Sequence, residues 1–409
     1  MGSSEARRPR PAIPSATFHF QCYPHHCVTA PNYRRFAAPI TLAILLLVAT
    51  AAARELLSVR STWLGYRAIA PRIATVNYYG LHHVTVQQLQ SSLHLKEGDP
   101  EPVHIDSPNT LMQLVRPLSG VETRQTVEAR LKQIPGVLDA VIVTVQTGEP
   151  HKTNLFVGIS ETAPAIALLH PTGSEKLTDS VASLYDRHAT AFGAAIANMD
   201  PNFDETDSQG HAFFTDPQMR SLEDQAIAFD QSPANLNLAR QVLRNAADPL
   251  QRRSAAWLIT YAPDKKIILE DLTQAIRDPD PEVRNIVTRS ITLIAEYANQ
   301  DPKFAVRIPA VPFIEMLNSL TWFDRNKATG VLYALTESRD PQILIDLRKG
   351  ALGALTEMAR WKAPHAEDAF KLIGRIAGLS EPEIENSWKG GPTMRERVIA
   401  TAALPNSGN

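Results

Sequence analysis

The sequence predicts a multidomain chain, in which a small α+β domain is followed by an all-α solenoid of stacked helix pairs. Through 72–161, apolar residues recur in the order strand, helix, helix, strand, strand. Further along, the dipeptide Asp-Pro recurs at Asp248, Asp280 and Asp340, each time ahead of a helical apolar pattern. Asp can cap a helix and Pro fits its first position, so these are helix starts. Repeated helix starts are typical of a repeat array, which more often binds partners than performs a reaction.

The composition is that of an ordinary globular chain. It has 409 residues, of which 44% are hydrophobic, and a formal net charge of -2. This near-neutral balance argues against a chain that coats nucleic acid. Both cysteines, Cys22 and Cys27, lie near the N-terminus, so no disulfide is expected in the folded domains.

The N-terminal region predicts an export or anchoring signal. Residues 1–36 are proline-rich and aperiodic, which predicts disorder. Residues 37–53 are apolar and uncharged, and as a helix they would span roughly 25 Å. A membrane anchor, a cleaved signal peptide ending near Ala53 and a buried core helix remain open. The first two predict a membrane-anchored or secreted protein, with the residues after 54 in the periplasm or otherwise outside the cytoplasm.

Metal sites are not predicted. Cys22, His25 and Cys27 have ligand chemistry, but no second half of a zinc site follows. The acidic stretch 200–211 has oxygen ligands at alternate positions, yet Glu205 stands where a calcium loop needs glycine. No cofactor is predicted either.

The first folded region, 72–161, resembles a POTRA domain. The resemblance rests on Gly80-Leu81, Gly98-Asp99-Pro100, Ile134-Pro135-Gly136 and the end of the last predicted strand, residues 157–161. The stretch from 101 to 120 is longer than the family usually carries. The resemblance implies work outside the cytoplasm and binding of partner polypeptides as an added strand on an open sheet edge. An unrelated small α+β domain is the alternative.

The remaining chain divides into three parts. Residues 162–232 are predicted to be a linking, partly helical, acidic segment. Residues 233–389 form the predicted solenoid, and residues 390–409 a flexible C-terminal tail.

The helix that starts at Asp280, with Val283, Arg284, Val287 and Ile291, resembles the signature helix of a HEAT repeat. Poorer copies start near residues 248 and 324. The resemblance implies that Asp and Arg side chains bond between neighbouring repeats and order the stack. The residues concerned are Asp248, Arg252, Asp280, Arg284 and Arg325.

Trp361 and His365, at a predicted helix end, are the candidates for an exposed contact with a protein partner. Basic and acidic residues nearly balance in the array, so no nucleic-acid partner is predicted. A membrane contact is predicted only through residues 37–53.

No phosphate-binding loop, metalloprotease helix or nucleophile elbow occurs, so an enzyme is not predicted. The leading hypothesis is a non-catalytic, protein-binding scaffold of a bacterial-type cell envelope. Its POTRA-like domain would bind partner strands and its HEAT-type array would bind a second protein. The alternatives are a HEAT-like enzyme or ligand-binding cleft, and a structural spacer.

Overall fold

The computed structural model describes residues 71–102, 122–163, 166–197, 205–301 and 303–404. The chain divides into two units, Met1–Ser58 and Val59–Asn409. The first unit lies wholly outside the described residues, as do the predictions made for 1–36 and 37–53. All elements below belong to the second unit.

The first elements are β1 (Arg72–Tyr79), α1 (Val86–Leu93), α2 (Arg124–Leu131), β2 (Asp139–Gln146) and β3 (Lys152–Ser160). The central strand β3 runs parallel to β1 and antiparallel to β2. The two helices begin at threonine caps, whose side chains accept backbone N–H bonds in the first turn. Within the described residues 71–102 and 122–163, the small mixed sheet and its two helices have the element order that the sequence predicts.

The central strand β3 is buried on both faces, from Thr153 to Ile159. Leu155 and Val157 pack against α1 and α2 in the core of the small domain. Phe156, on the opposite face, joins the core of the helical array instead. A strand of an antiparallel sheet with one solvated face would alternate, so burial of both faces means that the sheet is docked on its second side.

After β3, the regular elements of the described residues are helices, apart from a hairpin formed by β4 (Glu205–Ser208) and β5 (His211–Phe214). The helices are α3 (Asp179–Ala197), α4 (Pro217–Asp230), α5 (Pro233–Asn245), α6 (Pro249–Ile259), α7 (Lys265–Ala275), α8 (Pro281–Gln300), α9 (Val311–Met316), α10 (Trp322–Leu335), α11 (Pro341–Ala359), α12 (Ala366–Ile376), α13 (Glu381–Lys389) and α14 (Pro392–Ala403).

Helices α5 to α12 pack as four consecutive pairs. In addition, α6, α8, α10 and α12 contact one another in sequence and form one layer. The predicted helical-repeat array is therefore confirmed. Asp248, Asp280 and Asp340 cap α6, α8 and α11 through their side chains, and a proline follows each in the first turn.

The C-terminal end differs from the prediction of a flexible tail over 390–409. Residues Pro392–Ala403 form α14, whose Val398, Ile399 and Ala402 are buried. Because α14 packs on α12, its apolar face gains the tertiary support that a short helix needs.

The predicted membrane-anchored or secreted location is contradicted. No helix in the described ranges is long and apolar enough to cross a membrane. The longest of them, α8, carries Glu282, Arg284 and Arg289, and charged side chains are costly in lipid. Residues 37–53, on which the predicted location rested, lie outside the described part of the chain.

The layer formed by α6, α8, α10 and α12 is covered by other parts of the same chain. On α6, Ser254 Oγ donates to the carbonyl of Ala182 in α3 at 2.7 Å. On α8, Arg289 pairs with Glu205 of the hairpin. On α10, Trp322 lies against Phe156 of β3, with ring centroids 4.9 Å apart. The sequence predicts that the helical array binds a protein partner. In the structure, this layer of the array is instead packed against other parts of the same chain.

A crossing segment, residues 166–178, runs along the turns of the array from later to earlier repeats. The N–H of Leu169 donates to Arg277 in the turn between α7 and α8, at 2.8 Å. The N–H of Gly173 donates to Asn245 at the end of α5, at 2.6 Å. These bonds place α3 beside the first repeat, while the sheet lies beside the later ones.

Candidate functional site

A cavity of about 360 Å³ lies where the helical layer, α3, the hairpin and the sheet meet. We call it the aromatic pocket because most of its large side chains are aromatic. These are Tyr185, Phe192, Phe214, Trp257, Tyr261, Trp322 and Phe323. Concave, mainly apolar sites with a few polar groups are typical of ligand-binding pockets.

Helical spacing places the lining residues on the walls of the pocket. From α3 come Tyr185, His188, Ala189 and Phe192; from α8, Glu282, Asn285, Ile286, Arg289, Ser290 and Leu293; and from α10, Phe323, Asn326 and Lys327. Separations of three, four and seven residues put side chains on one face of a helix. Each helix therefore turns a mixed aromatic and polar face towards the pocket.

His188 is held in place at one wall. Its Nε2 lies 3.1 Å from Glu223 Oε1, and Glu223 also accepts the N–H of Phe214 at 3.3 Å. The His188 ring packs against Trp257 with a centroid distance of 5.0 Å. The carboxylate and the ring contact together fix the orientation of the imidazole.

A second histidine, His211 of β5, accepts a hydrogen bond from a buried lysine. Lys265 Nζ lies 2.9 Å from His211 Nδ1 and donates to the carbonyls of Thr260 and Ala262. Burial, followed by the charge of Lys265, lowers the pKa of His211 to about 4. The ring is therefore neutral near neutral pH, so Nδ1 can act as the acceptor.

Two charged residues of α8 have partners from other elements. Tyr185 Oη donates to Glu282 at 2.6 Å, and burial together with Glu282 raises the pKa of Tyr185. Arg289 pairs with Glu205, and its guanidinium lies 5.6 Å from the ring centroid of Phe214. These bonds tie α8 to α3 and to the hairpin.

The end of the pocket near α10 contains polar groups without partners. Asn285 Oδ1, Trp322 Nε1 and His365 Nδ1 are buried and lack a hydrogen bond within the described residues. Burial, followed by the charge of Arg289, lowers the pKa of Lys327 to about 8. Unpaired buried polar groups are rare in folded proteins, so these atoms are candidates to hydrogen-bond a ligand.

The residues predicted to order the repeats form a ladder of ion pairs. Arg252 donates to both oxygens of Asp278, at 2.7 and 2.9 Å. Arg284 donates to Asp324 at 2.9 Å and to the carbonyl of Asp278 at 2.8 Å. Each arginine thus bonds to an aspartate of the next repeat.

The other residues that were predicted to order the repeats bond to different partners. Asp280 receives two bonds from Arg253, and Asp248 caps α6 through the N–H of Leu250. Arg325 donates to Glu357 of α11 at 3.3 Å. Sequence reasoning did not assign a stacking role to Asp278, Asp324 or Glu357, which are the acidic partners of these arginines.

Glu357 also joins the array to the sheet. Its two oxygens accept the N–H groups of Gly80 and Leu81, at 2.9 and 2.7 Å. Gly80 has φ +80, and a Cβ there would lie 2.1 Å from the carbonyl oxygen of Ile159. Only glycine fits this turn, so the approach of β1 to α11 depends on it.

The prediction that Trp361 is exposed is wrong, because its side chain is only 4% exposed. Its Nε1 donates to the carbonyl of Tyr78 at 3.0 Å, and its ring packs on Phe156 at 4.9 Å. Trp361 thus holds the sheet against the array. His365, the other candidate partner contact, is half-buried and lines the aromatic pocket.

Both outer strands of the sheet have backbone groups that are already bonded. In β1, the N–H of Ile73 donates to Asp99 at 2.9 Å. In β2, the N–H of Ile142 donates to the side chain of Glu128, also at 2.9 Å. An edge partly blocked in this way is a poorer template for an added strand.

Comparison with known proteins gives only distant similarities. No family model and no curated protein matches the sequence. One designed armadillo repeat protein is 12% identical, with a TM-score of 0.28, and the match covers 46% of this chain and 94% of that chain. A computationally designed armadillo repeat protein for modular peptide recognition is also 12% identical, with a TM-score of 0.31 and coverage of 54% and 98%. Neither match supports the POTRA resemblance.

The structure itself defines the class. The chain is a helical-repeat protein on which an α+β domain, a helix and a hairpin are docked. Its distinguishing feature is the aromatic pocket enclosed between these parts and the repeat array.

Proposed function

We propose that this helical-repeat protein binds a small, mainly apolar ligand in the aromatic pocket. The observation that carries the proposal is a cavity of about 360 Å³ with aromatic walls and unpartnered polar groups at one end. Its volume lies within the roughly 300–1,000 Å³ range of ligand sites. We propose binding and not catalysis, because the sequence contains no phosphate-binding loop, metalloprotease helix or nucleophile elbow.

The contacts around the pocket favour a preformed site. Its walls are tied together by Tyr185 to Glu282, His188 to Glu223 and Arg289 to Glu205. A site whose walls are held in place loses less freedom when it binds, so more of the contact energy contributes to affinity.

Filling the pocket with a large side chain is expected to weaken ligand binding. Ala189 lines the cavity from α3, so Ala189→Trp places an indole where the ligand lies. We expect the dissociation constant for naphthalene-carboxamide, an uncharged aromatic probe, to rise at least about tenfold, equivalent to a loss of about 1.4 kcal/mol. Quenching of the wall tryptophans, Trp257 and Trp322, measures the binding.

The matched control is Ala194→Trp, an exposed position on the same helix. It adds the same side chain outside the pocket and should leave probe binding unchanged. Equal probe affinity in Ala189→Trp and the unmodified protein would refute the proposal.

We propose a protein partner as a second function, at a separate cleft. This cleft of about 840 Å³ lies between the ends of β1 and β3 and helices α10 and α11. Leu138 is 65% exposed and Leu168 is 41% exposed on its walls. Large apolar side chains exposed in a concave surface are typical of interaction sites.

Photo-crosslinking tests the second function. A photoreactive amino acid at Leu138 and, separately, at Leu168 should yield the same discrete protein adduct in cells that make the protein. A third variant carries it at Leu250, which is 53% exposed and lies outside the cleft. Adducts of equal yield and pattern from Leu250 would contradict a specific partner at the cleft.

A further inference from the structure

The charged groups that line the aromatic pocket have bonding partners, with one exception. Arg289 pairs with Glu205, Glu282 accepts the hydroxyl of Tyr185, and Glu223 faces His188. Among the residues that the structure describes, Lys327 has no hydrogen-bond or ion-pair partner. A half-buried ammonium group without a bonded partner is unfavourable, because the nearby carboxylates repay only part of its desolvation.

The groups that face Lys327 come from three directions. Arg289 and Glu282 approach from α8, Glu205 from the hairpin, and His365 from the turn before α12. Burial and Arg289 lower the pKa of Lys327 to about 8, although the two carboxylates raise it in part. Lys327 is thus mostly protonated at neutral pH and loses its charge just above.

Trp322 and His365, at the same site, each have a ring nitrogen without a partner among the described residues. Trp322, only 2% exposed, has an indole N–H without an acceptor, and this group can only donate. His365 Nδ1 is also unpartnered, and the rings of Trp322 and His365 lie 5.0 Å apart. A ligand group rich in acceptors would complement this end of the pocket.

A cationic ligand fits the pocket poorly, although aromatic walls can bind cations. Arg289 already lies 5.9 Å from the ring centroid of Phe192 and 5.6 Å from that of Phe214. The ring faces of Phe192 and Phe214 nearest this guanidinium therefore already have a cation of the protein beside them.

We propose that the ligand of the aromatic pocket carries a carboxylate group, which binds the ammonium group of Lys327. The aromatic or aliphatic part of the ligand then packs against Trp257, Tyr261 and Phe214. This inference rests on the proposed ligand-binding function and adds the chemical class of the ligand.

A matched pair of probes tests the inference. Naphthalene-carboxylate and naphthalene-carboxamide have nearly the same shape and differ in charge. At pH 7 the protein should bind the carboxylate about tenfold more tightly, because one charge-assisted hydrogen bond is gained. Lys327→Gln should remove this preference and keep carboxamide binding, which also shows that the pocket is folded. Lys327→Arg should keep the preference.

The pH dependence gives an independent readout. A carboxylate binds best to protonated Lys327, so its affinity should fall as the pH rises through about 8. The carboxamide should bind equally across this range, and Lys327→Arg should remove the pH dependence.

Two failures are distinguishable. If both probes bind equally to the unmodified protein and Ala189→Trp blocks both, the carboxylate inference is overturned and the pocket remains. If Ala189→Trp leaves both affinities unchanged, the proposed function itself fails, and this inference fails with it.

Discussion

Replacing Arg284 by alanine is expected to lower the free energy of unfolding by about 3–5 kcal/mol. Arg284 and Asp324 are both buried, and the guanidinium also donates to the carbonyls of Asp278 and Pro279. The substitution leaves the carboxylate of Asp324 and these carbonyls without their donor inside the stack. Uncompensated buried charge accounts for most of the loss.

Urea unfolding followed by circular dichroism measures this loss. Arg360→Ala is the control, because Arg360 and Glu396 form an ion pair that is half exposed on both sides. Its removal should cost at most about 1 kcal/mol. The double variant Arg284→Ala with Asp324→Ala should be less destabilised than the sum of the single variants. Additive losses, or a loss below that of Arg360→Ala, would contradict the role of the ladder.

Replacing Phe156 by alanine is expected to cost about 3–5 kcal/mol and to loosen the docking of the sheet. The ring is fully buried between Trp322 and Trp361, each 4.9 Å away by ring centroids. Truncation leaves a cavity between the two tryptophan rings, at the contact between β3 and the array.

Leu155→Ala is the matched comparison, because Leu155 is the adjacent residue on β3 and faces α1 and α2. Hydrogen exchange separates the two variants. Phe156→Ala should speed exchange at Gly80 and Leu81, which donate to Glu357 of the array. Leu155→Ala should speed exchange first in α1 and α2. Identical exchange patterns would show that the sheet and the array do not separate in this way.

Local rules were enough to predict the helix starts and the element order. The caps at Asp248, Asp280 and Asp340 depend only on adjacent residues, so the sequence indicates them directly. The arginines of the ladder follow from repeat spacing. Their acidic partners do not, because Arg252 bonds to Asp278 and this choice depends on how two repeats stack.

Docking could not be predicted, since it joins residues far apart in the chain. A tryptophan near a helix end is typical of an exposed contact site. Trp361 is nevertheless buried, because it bonds to the carbonyl of Tyr78 and packs on the ring of Phe156, which are more than two hundred positions away. Only one wall of the aromatic pocket has a recognisable pattern in the sequence. Tyr185, His188 and Phe192 at helical spacing mark one wall, and the opposite walls come from α8 and α10.

The position of the sheet has a consequence for protein synthesis. Asn77 and Lys362, which bond at 2.7 Å, are 285 positions apart. At roughly 5–20 residues per second, the first strand leaves the ribosome about 15–60 s before the turn that receives it. Until the later repeats are made, Tyr79 and Phe156 have no partner from the array, and the apolar face of the sheet stays uncovered. A chaperone that shields the nascent sheet should therefore increase the yield of folded protein more than one acting on the completed chain.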